Sequence, residues 1–362
     1  MMLATSPTAT RDSDECRDAG PSAVDPLRQP DWDSLLAAHP QSSIFHGLGW
    51  ARVLHDTYGH KPLYFARFHG KQLTGLLPVM EVSSPLTGRR GVSLPFTDAC
   101  SPLTADGSDT QSFYQTALAC GRCRRWKYLE CRGSAQSWQG SSPSLAFYGH
   151  LIDLQLGPDL LYKGLDGAFR RAVRKAQEAG LRVEFSTGPE SMATFYRLHC
   201  LTRRRHGLPP QPFRFFANIQ RHVLAPGQGF VATARLEKKA LAAAVFLYQG
   251  RQALYKFGAS DYAAQQLRPS NLMMWLAIKQ CGDMGLATLN LGRTSLSNEG
   301  LRRFKLALGA TEHNVQYAKY DFSTQRFVTD TDRAEGGFNR LFACLPLPML
   351  RLAGAVLYPH LS

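Results

Sequence analysis

The chain has 362 residues, more than one hydrophobic core usually holds, so two domains of about 150 residues each are expected. Hydrophobic residues at 44% and charged residues at 19% are typical of a globular protein and argue against a disordered or repetitive chain. A formal net charge of +14 predicts an anionic partner: a phosphate-bearing small molecule, a lipid-linked pyrophosphate, tRNA or an anionic membrane face. We expect no DNA partner.

The start of the chain is rich in small, polar and acidic residues. We predict a disordered tail over residues 1–27. It lacks a basic segment followed by an apolar core, so we expect no secretory signal and a cytoplasmic protein. No uninterrupted apolar run reaches transmembrane length. The nearest, residues 341–358, contains Pro346, Pro348 and Arg351; we expect it to pack on a domain, with peripheral contact to the inner membrane as the alternative.

Residues 28–157 are predicted to form a first unit of mixed structure, completed by residues 325–362. In chain order, its predicted elements are helices 32–38 and 47–58, a hairpin of strands 63–69 and 72–82, strand 89–94, helix 108–119, and strands 128–131 and 146–156. The polar loop Pro95-Phe96-Thr97-Asp98 follows the third strand.

Residues 158–324 are predicted to form a second unit. Its predicted elements are a basic amphipathic helix over 159–180, strand 181–185, helices 189–206 and 213–222, and three consecutive strands over 229–236, 240–248 and 253–259. A last strand is expected over 315–321, and the whole pattern indicates an α/β (α+β) fold.

The stretch 267–309 is the predicted centre of the second unit. Pro269 suits a first helical position, and Ser270 and Asn271 can satisfy the free N–H groups of that turn. A short apolar strand over 286–291 then stops at Gly292-Arg293-Thr294, which predicts Arg293 at a sheet end, where α/β folds bind ligands. Asn298 or Ser297 can cap the next helix, which carries Lys305.

Several common site signatures are missing from the sequence. It contains neither G-x-S-x-G nor G-x-x-x-x-G-K-[ST], so serine-hydrolase and P-loop chemistry are not indicated. Cys120, Cys123 and Cys131 lack a fourth ligand at zinc spacing, and we predict buried thiols rather than a metal site.

Six segments together carry a family resemblance. They are WARVLHDTYGHKPLYFA, SLPFTDACSPL, FRRAVRKAQEAGLRV, FYRLHCLTRRRHGLPPQP, YKFGASDYAAQQLRPSNLMMWLAI and LNLGRTSLSNEGLRRFKLALGA. The chain resembles the FemAB-like proteins of the GNAT superfamily, acyltransferases often found with bacterial exopolysaccharide or exosortase loci. The resemblance implies two tandem GNAT-like domains, each with a mixed, mostly antiparallel central sheet flanked by helices.

The resemblance also implies site residues. The family's GRT…FK arrangement falls on Gly292, Arg293, Thr294, Phe304 and Lys305, and its PFxD loop falls on residues 95–98. The superfamily's glycine-rich pyrophosphate loop is absent before the Ser270 helix. That weakens the case for an acyl-CoA donor without excluding it, because a helix N-terminus still offers N–H groups to a phosphate.

Acyl transfer to an amine needs a neutral amine, a mild base and groups that stabilise the oxyanion, but no metal. We therefore predict Lys305, Arg293, Asp98 and His199 as catalytic residues. Donor binding is predicted at Arg268, Ser270 and Asn271, and substrate binding at Tyr255, Lys256, Arg203, Arg204, Thr294 and Phe96.

Each of these residues also has a structural interpretation. Lys305 and Arg293 can be solvated, Asp98 can cap a turn, and His199 can be an ordinary helical histidine. Tyr255 and Lys256 alternate on one strand, so only one is expected to face a cleft.

These observations predict an N-acyltransferase that acts on an amino sugar or a cell-envelope or exopolysaccharide precursor, with acyl-CoA or aminoacyl-tRNA as donor. Two alternatives stay open. One is a tRNA-dependent aminoacyl ligase like FemX, and the other is a non-catalytic GNAT-like module that binds an anionic glycan or lipid precursor.

Overall fold

The structure is a computed structural model that describes residues 20–37, 39–104, 109–133, 135–332 and 339–361. Residues 1–19 of the predicted tail lie outside this part of the chain, as do Ala38 and Ser108, two predicted helix ends. The tail was predicted to extend to residue 27, which is wrong for its last residues. Ser22–Val24 forms a strand (β1) that pairs with Tyr64, Phe65 and Ala66, because main-chain hydrogen bonds to an open sheet edge order even a short segment.

The first half of the chain supplies a set of short strands and three helices. The helices are α1 (Trp32–Leu36), α2 (Leu48–Tyr58) and α3 (Thr110–Cys123). The further strands are β2 (Lys61–Pro62), β3 (Tyr64–His69), β4 (Gln72–Leu77), β5 (Met80–Ser84), β6 (Gly88–Val92), β7 (Leu103–Thr104), β8 (Tyr128–Arg132) and β9 (Leu145–Asp153).

The second half supplies longer strands and most of the helices. The strands are β10 (Arg182–Ser186), β11 (Gly229–Leu236), β12 (Lys239–Gln249), β13 (Gln252–Ser260), β14 (Thr288–Ser295), β15 (Thr311–Asp321) and β16 (Arg326–Phe327). The helices are α4 (Pro158–Gly164), α5 (Gly167–Glu178), α6 (Pro189–Arg205), α7 (Phe213–Ile219), α8 (Pro269–Asp283), α9 (Glu299–Leu306), α10 (Asn339–Cys344) and α11 (Leu347–Leu357).

Two predicted elements are interrupted. The predicted helix over 159–180 breaks before α5, where the Asp166 carboxylate accepts a hydrogen bond from the Ala168 N–H at 2.7 Å and starts a new helix. The predicted strand over 72–82 ends at Leu77, and the chain re-enters a different sheet at Met80. Pro78 lies between them and cannot donate to a sheet ladder.

One large mixed sheet runs through both predicted units. Its strand order is β10-β11-β12-β13-β14-β9-β15-β8-β6-β5-β2, and a second sheet has the order β1-β3-β4-β7. Strand β14 of the second unit pairs with β9 of the first. Strand β15, predicted to close the second unit, instead lies between β9 and β8 of the first. The two units are therefore joined edge to edge.

Helices cover both faces of this sheet, and the alternating side chains of β12 show how. Ala243, Val245 and Leu247 belong to a core that includes α2, α6 and α7. Ala242, Ala244 and Phe246 belong to the opposite core, under α5 and α8. The first of these cores contains residues of both units, since Trp50 and Phe215 pack with ring centroids 6.0 Å apart. This arrangement confirms the predicted α/β class with helices flanking a mixed sheet.

No helix among the described residues is long and apolar enough to cross a lipid bilayer.

Candidate active site

Strands β13 and β14 separate at the centre of the large sheet. They pair in parallel only where Gln252–Leu254 meets Thr288–Asn290. Beyond that point β13 has a bulge at Lys256, which has no partner in the register with β12. Strand β14 has a bulge against β9 between Asn290 and Arg293. A cleft of about 710 Å³ opens there, lined from both strands and closed by α9.

The two bulges correct two predictions. Strand β14 continues to Ser295, so Arg293 lies within a strand and not at its end. Tyr255 and Lys256 both line the cleft, although strict alternation would allow only one to do so. The extra residue in β13 shifts the alternation by one position, which no single-strand pattern reveals.

Lys305 of α9 holds the bulge in β14. Its Nζ donates hydrogen bonds to the carbonyl oxygens of Gly292 at 2.9 Å and Arg293 at 3.1 Å. Gly292 has a φ of 72°, and its N–H donates to Asn290 Oδ1 at 2.7 Å. Lys305 is only 3% exposed, and burial lowers the pKa of its ammonium to about 8. Asn298 caps α9 as predicted, accepting from the Leu301 N–H.

Asp98 reaches the same cleft from the loop of the first unit. Its Oδ2 lies 3.0 Å from Lys256 Nζ. Burial alone would raise the pKa of Asp98, but the charges of Lys256 and Arg293 hold it below its ordinary value. Burial lowers the pKa of Lys256, and the Asp98 carboxylate opposes that effect. The two groups form a salt bridge in the wall of the cleft.

The loop that carries Asp98 has an unusual backbone. Leu94 and Phe96 have φ values of 62° and 61°, in the left-handed region that side-chain-bearing residues seldom adopt. Thr97 Oγ1 donates to Leu94 O at 2.6 Å, and Tyr317 Oη donates to Asp98 O at 2.5 Å. The surrounding structure therefore fixes a strained loop so that Asp98 enters the cleft.

A second cleft of about 470 Å³ adjoins the first and is rich in cations. The residues Asp98, Lys256 and Arg293 line both. The second cleft adds Arg132 and Arg203, together with Phe96, His199 and Tyr358. Arg293 donates to Tyr317 Oη at 2.7 Å and lies over the Phe147 ring, so its guanidinium is held in place.

His199 lies in the wall of this second cleft but is largely buried. Its Nε2 lies 2.9 Å from Gln211 Oε1, and its ring stacks on Phe195. Burial, together with the nearby Arg203 charge, lowers the pKa of His199 to about 3. Because His199 is only 5% exposed and its Nε2 contacts Gln211, a wall and positioning role fits this residue better than that of a base.

A third cleft, of about 430 Å³, lies at the start of α8 and is lined by the three predicted donor residues, Arg268, Ser270 and Asn271. The predicted capping by Ser270 and Asn271 is wrong: Arg268, with a φ of 58°, takes the cap position, and no side chain caps the helix. The two polar side chains are left to face the cleft. Arg268 and Asn271 also line a neighbouring groove that contains Arg171, Lys175 and Arg303.

Two predicted substrate residues are not brought to a cleft. Arg204 is absent from the lining of the clefts described above. Thr294 is 1% exposed, and its hydroxyl finds no hydrogen-bond partner within the described ranges. Two further lining residues, Arg132 and Tyr358, were not among the predicted site residues. They come from β8 and the turn after α11, and nothing local in the sequence links these segments.

No group of three or more His, Cys, Asp or Glu side chains that could hold a metal ion occurs in the part of the chain that the structure describes.

Comparison with known proteins agrees with this architecture. Residues 167–309, which carry β13, β14, α8 and α9, match the family model described as acetyltransferase (GNAT) domain. These residues are therefore similar to a GNAT domain, and GNAT domains form an acyltransferase family. The matched region supplies both strands, β13 and β14, that line the cleft. No curated protein sequence matches this chain.

Solved structures with a similar fold cover most of this chain. A crystal structure of FemX aligns with a TM-score of 0.64 at 15% identity, over 79% of this chain and 94% of that one. The C-terminal domain of a putative lysylphosphatidylglycerol synthetase from Agrobacterium fabrum aligns with a TM-score of 0.52 at 14% identity, over 79% and 89%. A tandem GNAT protein from the clavulanic acid biosynthesis pathway gives 0.51 at 12% identity, over 83% and 98%. The predicted FemAB-like and tandem GNAT-like fold is confirmed.

Proposed function

We propose that the protein transfers an acyl or aminoacyl group to an amine of an amino sugar or a cell-envelope or exopolysaccharide precursor, by direct attack of the amine. The observation that carries the proposal is the convergence of Asp98, Lys256, Arg293 and Lys305 on the cleft where β13 and β14 separate. This combination supplies a carboxylate and several fixed cations in one cleft.

The roles follow from the charge states. Asp98 is a carboxylate at neutral pH and can accept the proton that the attacking amine loses. Lys305 is mostly cationic below a pKa of about 8. Two of the three N–H donors of its ammonium are used by the β14 carbonyls, which leaves a third for the oxygen that becomes negative in the transition state.

The acceptor is expected to be anionic. Arg132, Arg203, Lys256 and Arg293 line the second cleft, where Asp98 pairs with Lys256 and Glu130 pairs with Arg132. An arginine-rich pocket suits a phosphate or pyrophosphate group, since the guanidinium fork matches phosphate oxygens. A nucleotide- or lipid-linked sugar carries such a group.

The donor is assigned to the cleft at the start of α8. The Arg268 side chain and the groove cations Arg171, Lys175 and Arg303 supply positive charge where the superfamily's glycine loop would supply N–H groups. These residues fit the phosphates of acyl-CoA and equally the acceptor end of an aminoacyl-tRNA. When bound, either donor supplies the activated carbonyl carbon.

A second candidate is tRNA-dependent aminoacyl transfer of the FemX kind. It is favoured by the groove cations, which extend from the donor cleft and suit a polynucleotide backbone. Under either candidate we place the protein in the cytoplasm, where both donors are made.

Thermal unfolding with each donor tests the assignment. A ligand at about a hundred times its dissociation constant adds about 2.7 kcal/mol to the free energy of unfolding. We expect acetyl-CoA or another acyl-CoA to raise the melting temperature of the wild type, and Arg268→Ala to reduce that rise. A rise with aminoacyl-tRNA alone selects the FemX-like reaction. If neither donor stabilises the protein, the transferase proposal is wrong and the non-catalytic binding module takes its place.

Variants separate catalysis from binding. Arg293→Ala and Lys305→Ala are expected to abolish turnover while the protein stays folded. Lys279→Ala is the matched control, because Lys279 is an exposed lysine paired with Asp283 at the far end of α8. Full turnover by Lys305→Ala would contradict the assigned role.

A further inference from the structure

The last two helices expose an apolar surface, which we call the C-terminal apolar face. Leu352 and Val356 of α11 are 66% and 57% exposed. Several more apolar side chains of this segment are also exposed: Leu341, Met349, Leu357 and Leu361. Scattered exposed leucines are ordinary, but a row of them along one short segment marks an interaction surface.

This exposure does not come from a loosely attached end. The opposite side of α11 is buried through Leu350 and Gly354, and a Cβ on Gly354 would overlap the carbonyl oxygen of Pro210. Beyond the helix, Arg203 Nη2 donates to Tyr358 Oη at 2.9 Å. Arg90 Nη2 donates to the carbonyl oxygen of His360 at 2.7 Å. One face of α11 is therefore packed against the protein, and the opposite face is exposed.

The charged residues of this segment indicate which kind of partner the face can bind. Residues 339–361 contain Arg340 and Arg351 but no aspartate or glutamate. Both arginines are exposed. A second copy meeting this face across a two-fold axis would bring the same cations together without a countercharge. An anionic lipid surface satisfies both features, because its headgroups attract the arginines while its acyl chains receive the leucines.

We propose that the C-terminal apolar face docks on an anionic lipid bilayer, with α11 lying in the plane of the interface. The helix is too short to span a membrane and is held to the protein along its length, so it contacts one leaflet only. The docking surface is defined by α10 and α11 and does not depend on catalysis.

Docking also orients the active site, a consequence that rests on the proposed function. Tyr358, one residue after α11, lines the cation-rich cleft together with Asp98 and Lys256. A bilayer under α11 would therefore lie beside the mouth of that cleft. The acceptor class that fits is a lipid-anchored sugar phosphate, whose headgroup can enter while its chain stays in the membrane.

Co-sedimentation with vesicles tests the docking without donor or acceptor. The full chain is mixed with vesicles of phosphatidylcholine alone or of phosphatidylcholine with phosphatidylglycerol. We expect binding to the anionic vesicles, weakened by salt, and a loss of about tenfold or more in affinity for the Leu352→Glu/Val356→Glu variant. The matched control is Leu156→Glu/Leu160→Glu, which removes two exposed leucines near α4 and should bind like the wild type.

Three results would overturn the proposal. They are no binding to anionic vesicles, equal losses in the two double variants, and a dimer without lipid that Leu352→Glu/Val356→Glu dissociates. The last would assign the face to a second copy. Since both variants change exposed residues, unchanged melting temperatures will show that they fold. Vesicle binding with no donor-induced stabilisation would leave this proposal standing while the transferase proposal fails.

Discussion

The Asp98 carboxylate lies 3.0 Å from the Lys256 ammonium, and this pair joins the loop of the first unit to strand β13 of the second. Both groups line the two central clefts. The candidate active site is therefore built by the contact between the units and belongs to neither alone. Anything that separates the units would remove Asp98 from the cleft and leave Lys256 without this carboxylate.

Breaking this pair is expected to destabilise the protein. Asp98→Asn or Lys256→Met leaves one buried charge without its partner, which costs about 3 kcal/mol. The double variant should be more stable than the sum of the single effects predicts, with a coupling of about 1–3 kcal/mol. Urea unfolding of the four proteins measures this, and additive effects would show that the two groups do not interact.

The same pair makes stability depend on acid pH. The folded-state pKa of Asp98 lies below its ordinary value, so the contribution of the pair is fully present above about pH 4. It is lost as pH falls through the folded-state pKa. Unfolding free energies measured at falling pH should therefore decline more steeply for the wild type than for Asp98→Asn. Parallel curves would contradict the assigned ionisation.

Lys305 should give the reaction an upper pH limit. Its pKa of about 8 means that the cation is lost as pH rises through that value, and activity that depends on the cation falls with it. Lys305→Met should lower kcat by about a hundredfold or more and abolish this limb of the pH profile. A Lys305→Met enzyme that keeps the falling limb near pH 8 would assign it to another group.

Tyr317 is expected to position two site residues at once. Its hydroxyl accepts from Arg293 and donates to the Asp98 carbonyl oxygen. Tyr317→Phe keeps the buried ring but removes both bonds, so we expect about 1–2 kcal/mol of lost stability and a decrease in kcat. Tyr320→Phe, on the same strand, is the control. Equal kinetics for the two variants would rule out the positioning role.

Substitution of Gly258 tests how Tyr255 is packed in the wall of the cleft. A Cβ there would clash with the Tyr255 hydroxyl, whose ring is packed against Phe246. Gly258→Ala should therefore displace Tyr255, destabilise the protein by about 1–3 kcal/mol and weaken donor binding. Gly258→Ala combined with Tyr255→Leu should recover much of the stability. Full donor binding by Gly258→Ala alone would show that Tyr255 does not shape the cleft.

Much of the candidate site was predictable from the sequence. Lys305 and Asn298 occupy the predicted helix and cap, and Asp98, Arg293 and Lys256 meet in one cleft. The role assignments stay predictions, because geometry alone does not test them. His199 was predicted as a catalytic residue, and its burial instead favours a wall position.

The sequence by itself determined the α/β class, the order of most elements and the helix cap and polar side chains near residue 300. Hydrophobic periodicity and cap residues act between near neighbours in the chain, so they can be recognised in the sequence. The tertiary structure decided what those residues could do. The bulges at Lys256 and Gly292, the insertion of β15 between β9 and β8, and the approach of Asp98, Arg132 and Tyr358 all depend on segments that are far apart in the chain. Register and long-range pairing leave no local signal, since a bulge is defined only against its partner strand.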